Sequence, residues 1–532
     1  MRSAPFRFQT RRSVSMAMNG MVAASQPLAA MAGLRMLLQG GNAVDAAVAT
    51  AAALNVVEPT STGAGGDAFA LTYVGKTSEV TALNASGRAP KAQTLDEMRR
   101  RGHRVMPTHG ALTVTAPGAV AGWADILKRH GSMTLADVLQ PAIELAGQGF
   151  PVTEVIAGHW SSLERRADQF PALAQTYLID GHAPRPGEVF KNPALARTLR
   201  AIAEGGPDAF YRGPIAESIV KAIQENGGLM TLDDMAAHAS TWDEPIRTDY
   251  RGVTIVECPP NGQGIVALEA LNILEGFDLA AMGYGTPAYY HHLIEATKLA
   301  FADAFAYVGD PRMARMPIEG LIDKAYAAGR RQSIDPARAA STPVPGKPQG
   351  GTVYLSVIDK ERNACSLINS NYSGFGSGLA AEGVALQNRG ALFSLEEGHP
   401  NCIAPGKRPY HTIIPALALE RDKLWMSFGV MGGFVQPQGH VQVACNTIDF
   451  GMNPQQALDA LRFVWHDGAL VDVEDGIGED VRSALAKIGH DLMPRDDPRR
   501  TYGGGQIVAI DEDSGALLGG TEPRKDGVAI GY

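Results

Sequence analysis

Cysteine is scarce in this chain. Four residues (Cys258, Cys365, Cys402, Cys445) are scattered over 532 positions, with no Cys-x-x-Cys pair and no dense framework. That pattern excludes a disulfide scaffold and a structural zinc knuckle, and it fits a reducing compartment. Long apolar runs are missing too, since no stretch reaches the roughly 20 residues that a membrane-spanning helix needs. An excess of positive charge is also absent: 47 Lys and Arg stand against 56 Asp and Glu, for a net charge of -9. This disfavours nucleic acid or an anionic membrane as a partner. The N-terminal "MRSAPFRFQTRRSVSMAMNGMVAASQ" is basic, but Ser, Asn and Gly break the apolar centre a secretory signal requires. It reads as the lead-in to a first strand, and the chain as cytoplasmic, with export the less favoured alternative.

What the chain has in quantity is Gly (60) and Pro (33), spread along its length as turn formers. The length allows several ordinary domains or one large layered fold. Residues 27 to 57 read as two helices broken at "QGGN", with Asn42 the N-cap of the second. "EPTSTGAGGDAFALTYV" gives a Gly-rich loop and then a strand. It lacks the Lys-Ser/Thr and the following helix of a phosphate loop.

From about 92 to 335 the pattern is mainly helical, with "GVTIVECPPNGQG" a strand and turn. His292 and Glu295 share a metal-like spacing, yet without a partner His at helical distance they read as surface or core polar residues. Residues 336 to 351, "PARAASTPVPGKPQGG", have the composition of a linker. Strands follow ("TVYLSVI", "ACSLINS", "GVALQN", "HTIIPALALE", "KLWMSFGV", "QIVAID"), with one helical piece, "PQQALDALRFVWHD". Sheets covered by helices are the expected architecture.

The stretch "GGTVYLSVIDKERNACSLINSN" at 350 to 371 reads as a hairpin. A turn centred on Glu361 sets 358 against 364, 356 against 366, 354 against 368, and Thr352 against Ser370. Thr352 has two readings. One is an ordinary strand residue. The other is the first residue of a new chain, released by cleavage after Gly351. An N-terminal threonine carries its own base, because an α-amine titrates near 7.7 to 8 and can take the hydroxyl proton. Gly350 and Gly351 remove side-chain bulk beside that bond. Ser370 would hold the hydroxyl. Such a nucleophile needs no metal and no organic cofactor.

"GGTVYLSVID", "FGSG" (375–378), "PGKRPYHTIIP" (405–415), "GVMGG" (429–433), "GGNAVDAA" (40–47), "EPTSTGAGGDAFAL" (58–71) and the terminal "GY" resemble the γ-glutamyltranspeptidase family, in the same order over nearly the whole chain. The resemblance implies an N-terminal nucleophile hydrolase: an α/β fold, a four-layer αββα sandwich built from two autoproteolytic fragments. These would be a large fragment, 1–351, and a small one, 352–532, associating as an αβ heterodimer that pairs into a larger homo-oligomer. It implies Thr352 as nucleophile for self-cleavage and catalysis, Ser370 as its support, and Gly432 and Gly433 as oxyanion-hole donors.

The family's γ-glutamyl recognition residues are mostly replaced. Ser86 stands where members carry a carboxylate-binding Arg, with Arg88 two residues on. Leu392 replaces the acid that holds an amine, in "LQNRGALFS", which also contains Asn388. Arg389 replaces a Gln, Tyr372 an Asn, and His411 and Thr412 a serine pair. Arg88 and Arg389 suit a carboxylate, with no obvious partner for an ammonium; a structural ion pair is the other reading of either Arg. The variant pattern resembles a sub-branch containing oxamate amidohydrolase and cephalosporin acylase relatives. The expected substrate is a small carboxylate-bearing amide of glutaryl, oxalyl or oxamate type, hydrolysed rather than transferred. The alternatives are a true γ-glutamyl hydrolase or transferase acting on glutathione, and an inactive scaffold of the same fold.

Overall fold

The computed structural model describes residues 12–341, 351–495 and 502–532. Gly350 and the rest of the linker from 342 lie outside these, as does the side chain of Thr352. Fourteen strands form the two main sheets. The first seven are β1 Ser15–Ala17, β2 Met21–Ala24, β3 Asp67–Val74, β4 Glu79–Ala85, β5 Thr241–Asp243, β6 Ile246–Tyr250 and β7 Val253–Glu257. The others are β8 Gly351–Ile358, β9 Ala364–Tyr372, β10 Ala416–Glu420, β11 Lys423–Met431, β12 Gly504–Ile510, β13 Leu517–Thr521 and β14 Val528–Gly531. One sheet runs β1-β13-β12-β11-β10-β7-β6 and the other β14-β2-β8-β9-β3-β4-β5. Every pairing in both is antiparallel. Each sheet contains strands from both before and after residue 351, so both parts of the chain are needed to complete either sheet.

Helices cover both outer faces. α1 Pro27–Leu38, α2 Ala43–Val57 and α3 Ala119–His130 pack on the sheet that holds β8 and β9. α4 Gly264–Leu274, α5 Pro287–Tyr307 and α6 Val435–Ile448 form the layer over the other sheet. The expected four-layer αββα sandwich is the fold. α2 shows how local sequence sets a layer. Asn42 and Asp45 form a capping box at its start, and all fifteen residues, mostly Ala and Val, are buried. The layers meet through small residues. Gly429 on β11 lies under the ring of Tyr354, where a Cβ would sit 2.7 Å from the ring. Beside it the Ser356 hydroxyl donates to Ser427 Oγ at 2.7 Å.

Most expected elements are present, including the break at residues 39–42 and the strand after the Gly-rich loop. Three differ. The helix expected over "PQQALDALRFVWHD" stops at Asp459, and Phe463–Asp467 is a strand, because its β-branched and aromatic residues pair with Leu470–Glu474. "GVALQN" contributes only a two-residue strand, Val384–Ala385. α6 was not anticipated: Gly439 and four polar residues (Gln436, Gln438, His440, Gln442) hide its apolar pattern, yet all of them are buried against the sheet. Among the described residues no helix is long and apolar enough to cross a membrane.

His292 and Glu295 are buried core residues of α5, but not partners. His292 Nδ1 bonds the Ala288 carbonyl oxygen at 2.7 Å, and Glu295 pairs with Lys298 at 2.8 Å. The neighbour that spacing alone could not supply is His490, whose Nε2 lies 2.8 Å from His291 Nδ1. This cluster joins α5 to the strand-rich half.

Substituting Gly429→Ala forces a methyl into the Tyr354 ring. It is expected to destabilise the fold by about 1–3 kcal/mol and to lower the thermal midpoint by a few degrees, read by calorimetry or circular dichroism.

Candidate active site

The site lies where β8, β9 and β3 run side by side. The β8–β9 hairpin has the expected register at Ile358–Ala364, Ser356–Ser366 and Tyr354–Ile368. It departs at its open end. Val353 still faces Asn369, but Gly351 faces Tyr372, so a β-bulge intervenes and Thr352 stands against two residues, Ser370 and Asn371, rather than Ser370 alone. The extra residue re-aims the end of β9. Tyr372 sits just beyond with φ +76°, a left-handed backbone that a bulky side chain rarely adopts.

Ser370 is fully buried, and its hydroxyl oxygen accepts from the Tyr372 N–H (2.8 Å) and from Arg389 Nη2 (3.0 Å). Both lone pairs are thereby occupied, so the hydroxyl acts toward further neighbours as a donor. Arg389, in a short 3₁₀ turn, is 0% exposed. Its Nη1 donates to Thr412 Oγ1 at 2.7 Å, its guanidinium lies 4.7 Å from the centre of the Tyr372 ring, and its Nε is 3.9 Å from Asp67 Oδ2. Burial lowers Arg389 to about 10, which leaves it cationic at neutral pH. Among the described residues its Nε hydrogen has no acceptor, and neither the Tyr372 hydroxyl nor the Asn371 side-chain amide has a hydrogen-bond partner.

Asp67 completes the row. It opens β3, pairs across from Ser370, and is fully buried. Its Oδ1 accepts the Gly87 N–H at 2.9 Å, and its Oδ2 accepts from His411 Nε2 at 3.1 Å. His411 Nδ1 accepts the Ile413 N–H at 3.3 Å, which fixes the proton on Nε2. Burial and the nearby Arg389 hold His411 well below its usual range, so it is a neutral bridge and not a base.

A second wall is made of backbone. Gly432 and Gly433 follow β11 with φ +132° and +63°, in the region that favours glycine. Among the described residues no acceptor takes the N–H of either, so both donors are available to a ligand oxygen. Gln263, just before α4, fixes this turn: its Nε2 donates to the Gly433 carbonyl (2.9 Å) and to the Thr412 carbonyl (2.7 Å). The Gly-rich loop before β3 packs against β9 without a gap. A Cβ on Gly66 would lie 2.4 Å from the Ser370 carbonyl oxygen. Those glycines serve a close backbone approach, not a phosphate.

Of the residues singled out in the sequence, Ser370, Tyr372, Arg389, His411 and Thr412 form one contiguous group, with Asp67 and Gln263 as members the sequence did not reveal. Asn388 braces the adjoining loop instead, donating to the Thr108 carbonyl at 2.7 Å and accepting from the Ser373 N–H at 3.1 Å. Arg88 turns to Asp310 (3.4 Å) and the Gly406 carbonyl (3.2 Å). Ser86 bonds Asn84 at 2.7 Å.

This chain matches the γ-glutamyltranspeptidase family model over residues 29–532. It is 40% identical over 522 residues to the glutathione hydrolase-like YwrD proenzyme of Bacillus subtilis, covering 96% of this chain and 98% of that one. It is 35% identical over 534 residues to the oxamate amidohydrolase proenzyme of Klebsiella pneumoniae, covering 98% and 100%. Its fold superposes on the crystal structure of cephalosporin acylase from Bacillus halodurans with a TM-score of 0.93 and 46% identity, over 100% and 99% of the two chains. The four-layer sandwich together with these likenesses makes the chain an amide hydrolase of the N-terminal nucleophile class, and it belongs to the γ-glutamyltranspeptidase family.

Proposed function

We propose that this protein cuts itself between Gly351 and Thr352 and hydrolyses small amides whose acyl part carries a carboxylate. The observation that carries the acyl preference is the buried guanidinium of Arg389, whose Nε hydrogen lacks an acceptor and which adjoins Ser370. A buried cationic donor without a partner is costly unless something fills the place. A substrate carboxylate does so. Leu392 stands where an amine-binding acid would be needed, which argues against a γ-glutamyl group. The relatives' names support the same reading, as an oxamate amidohydrolase and an acylase, and so does the word proenzyme.

In the mechanism, cleavage frees the Thr352 amine, which takes the proton of its own hydroxyl as that oxygen attacks the amide carbon. Ser370, with both lone pairs spoken for, gives its hydroxyl hydrogen toward the nucleophile and holds it in line. The N–H groups of Gly432 and Gly433 receive the negative oxygen of the tetrahedral intermediate. The amine leaves with the proton, and water releases the acid from the Thr352 ester by the same steps. The two fragments stay together as an αβ pair, because both contribute strands to each sheet. A cytoplasmic location agrees with the four unpaired cysteines.

Intact-mass measurement of the purified protein tests the first step. Two polypeptides divided at Gly351–Thr352 are expected, with Thr352→Ala remaining whole; an uncut wild-type chain after prolonged incubation would overturn the proposal. Gln263→Leu releases the Gly433 and Thr412 carbonyls. It is expected to lower kcat about ten-fold or more while leaving KM nearly unchanged, since removing an oxyanion donor outright costs about a hundred-fold. Steady-state kinetics on glutaryl and oxalyl amides reads this, with γ-glutamyl amides as the comparison.

A further inference from the structure

Asp67 is a carboxylate among donors. Gly87 N–H and His411 Nε2–H reach its two oxygens, and Arg389 Nε faces it at 3.9 Å, inside ion-pair range but too far for a hydrogen bond. The charged and titratable groups around it come from every neighbouring segment. They are Arg389 in the 3₁₀ turn, His411 and Arg408 in the stretch before β10, Tyr372 at the end of β9, and Tyr211 behind. On the mechanism above, the Thr352 amine joins them. Asp67 is therefore the internal counter-ion of Arg389, yet it leaves the Arg389 Nε hydrogen unbonded. A substrate carboxylate that reaches this guanidinium arrives beside a second, fully buried carboxylate. Two like charges sharing one buried cation cannot both remain ionised without large cost, so one of them takes a proton.

We propose that Asp67 determines acyl specificity in this pocket, and that a carboxylate-bearing acyl group binds at Arg389 together with one proton taken up by Asp67. This rests on the reading that Arg389 receives the acyl carboxylate. Burial already pushes the Asp67 carboxyl up to about 7, against the pull of Arg389 and of the Gly87 N–H. The residue thus stands near its titration before any ligand arrives. Below that point the proton is present and the acid binds without cost. Above it, each pH unit weakens binding of an acidic acyl group by about ten-fold, while a neutral acyl group is indifferent.

The test uses the self-cleaved enzyme and glutarate as the probe, by calorimetric titration at several pH values and in two buffers of different ionisation enthalpy. Wild type is expected to take up close to one proton per glutarate, with affinity falling about ten-fold per pH unit above neutrality. Asp67→Asn should bind glutarate with no such slope, and more tightly than wild type at alkaline pH. Butyramide should show no slope in either protein. Infrared difference spectra of wild type labelled with ¹³C-aspartate give a second readout that needs no variant: a protonated aspartic carboxyl band should appear on glutarate binding. Glutarate binding without proton uptake, or a slope kept in Asp67→Asn and hence owed to the Thr352 amine, overturns this proposal alone. A cleaved enzyme that hydrolyses butyramide but does not bind glutarate overturns the carboxylate reading and the proposal with it.

Discussion

The site is organised around one buried cation. The guanidinium of Arg389 has no exposure to solvent, and taking such a group out of water costs several kcal/mol unless charge and hydrogen bonds replace hydration. What replaces hydration comes from three separate pieces of chain. Ser370 and the Tyr372 ring come from the end of β9, Thr412 from the stretch before β10, and the Asp67 charge from β3. None of these segments is close to all the others in sequence. The bulged end of β9, the left-handed Tyr372 and the approach of β3 are a single arrangement around that charge. Moving any of them leaves a cation without support.

Opposite this polar wall stands one that uses almost no side chains. The N–H groups of Gly432 and Gly433 have no acceptor among the described residues, and Gln263 secures the turn by the Gly433 carbonyl. The division is chemically sensible. Side chains that carry charge can select a substrate, whereas a developing oxyanion is met best by dipoles already fixed in place, which need no reorganisation as the charge appears. The Gly-rich loop before β3 serves both walls by letting the backbone come within contact of β9, a distance that any Cβ would prevent.

Much of this was legible in the residues themselves. The hairpin register followed from where the polar turn "DKERN" falls, and α2 from its Asn42 cap and its Ala-rich body. The catalytic group of the proposed mechanism rests on short motifs: Thr behind two glycines, and a Gly pair after a strand. What could not be read had a common cause, that it depends on contacts between distant segments. The bulge sets Gly351 against Tyr372, a shift that the alternation within either strand does not announce. Asp67 looked like the start of a strand, and nothing local tells a buried aspartate from a surface one. Gln263 is an ordinary amide until Thr412 and Gly433 are brought to it. His490 lies 199 positions from His291. The helix expected through Trp465 failed for a related reason: its strand conformation is fixed by pairing with Leu470–Glu474, not by its own periodicity.

The replacement of substrate-binding residues gains a physical meaning from the burial of Arg389. An exposed arginine would add attraction for any anion, screened by salt and weakly selective. A buried one, already facing Asp67, cannot simply add a second anion. If Arg389 receives the acyl carboxylate as proposed, the substrate must exchange with, or neutralise, the charge that is there. Recognition then depends on the whole group of Asp67, His411, Arg389 and Tyr372, so altering acyl preference requires changing the counter-ion as well as the cation. On the proposed reading that coupling gives one fold two levers. Leu392 in place of an amine-binding acid drops the ammonium requirement, and the pairing of Arg389 with Asp67 sets which anion can take its place.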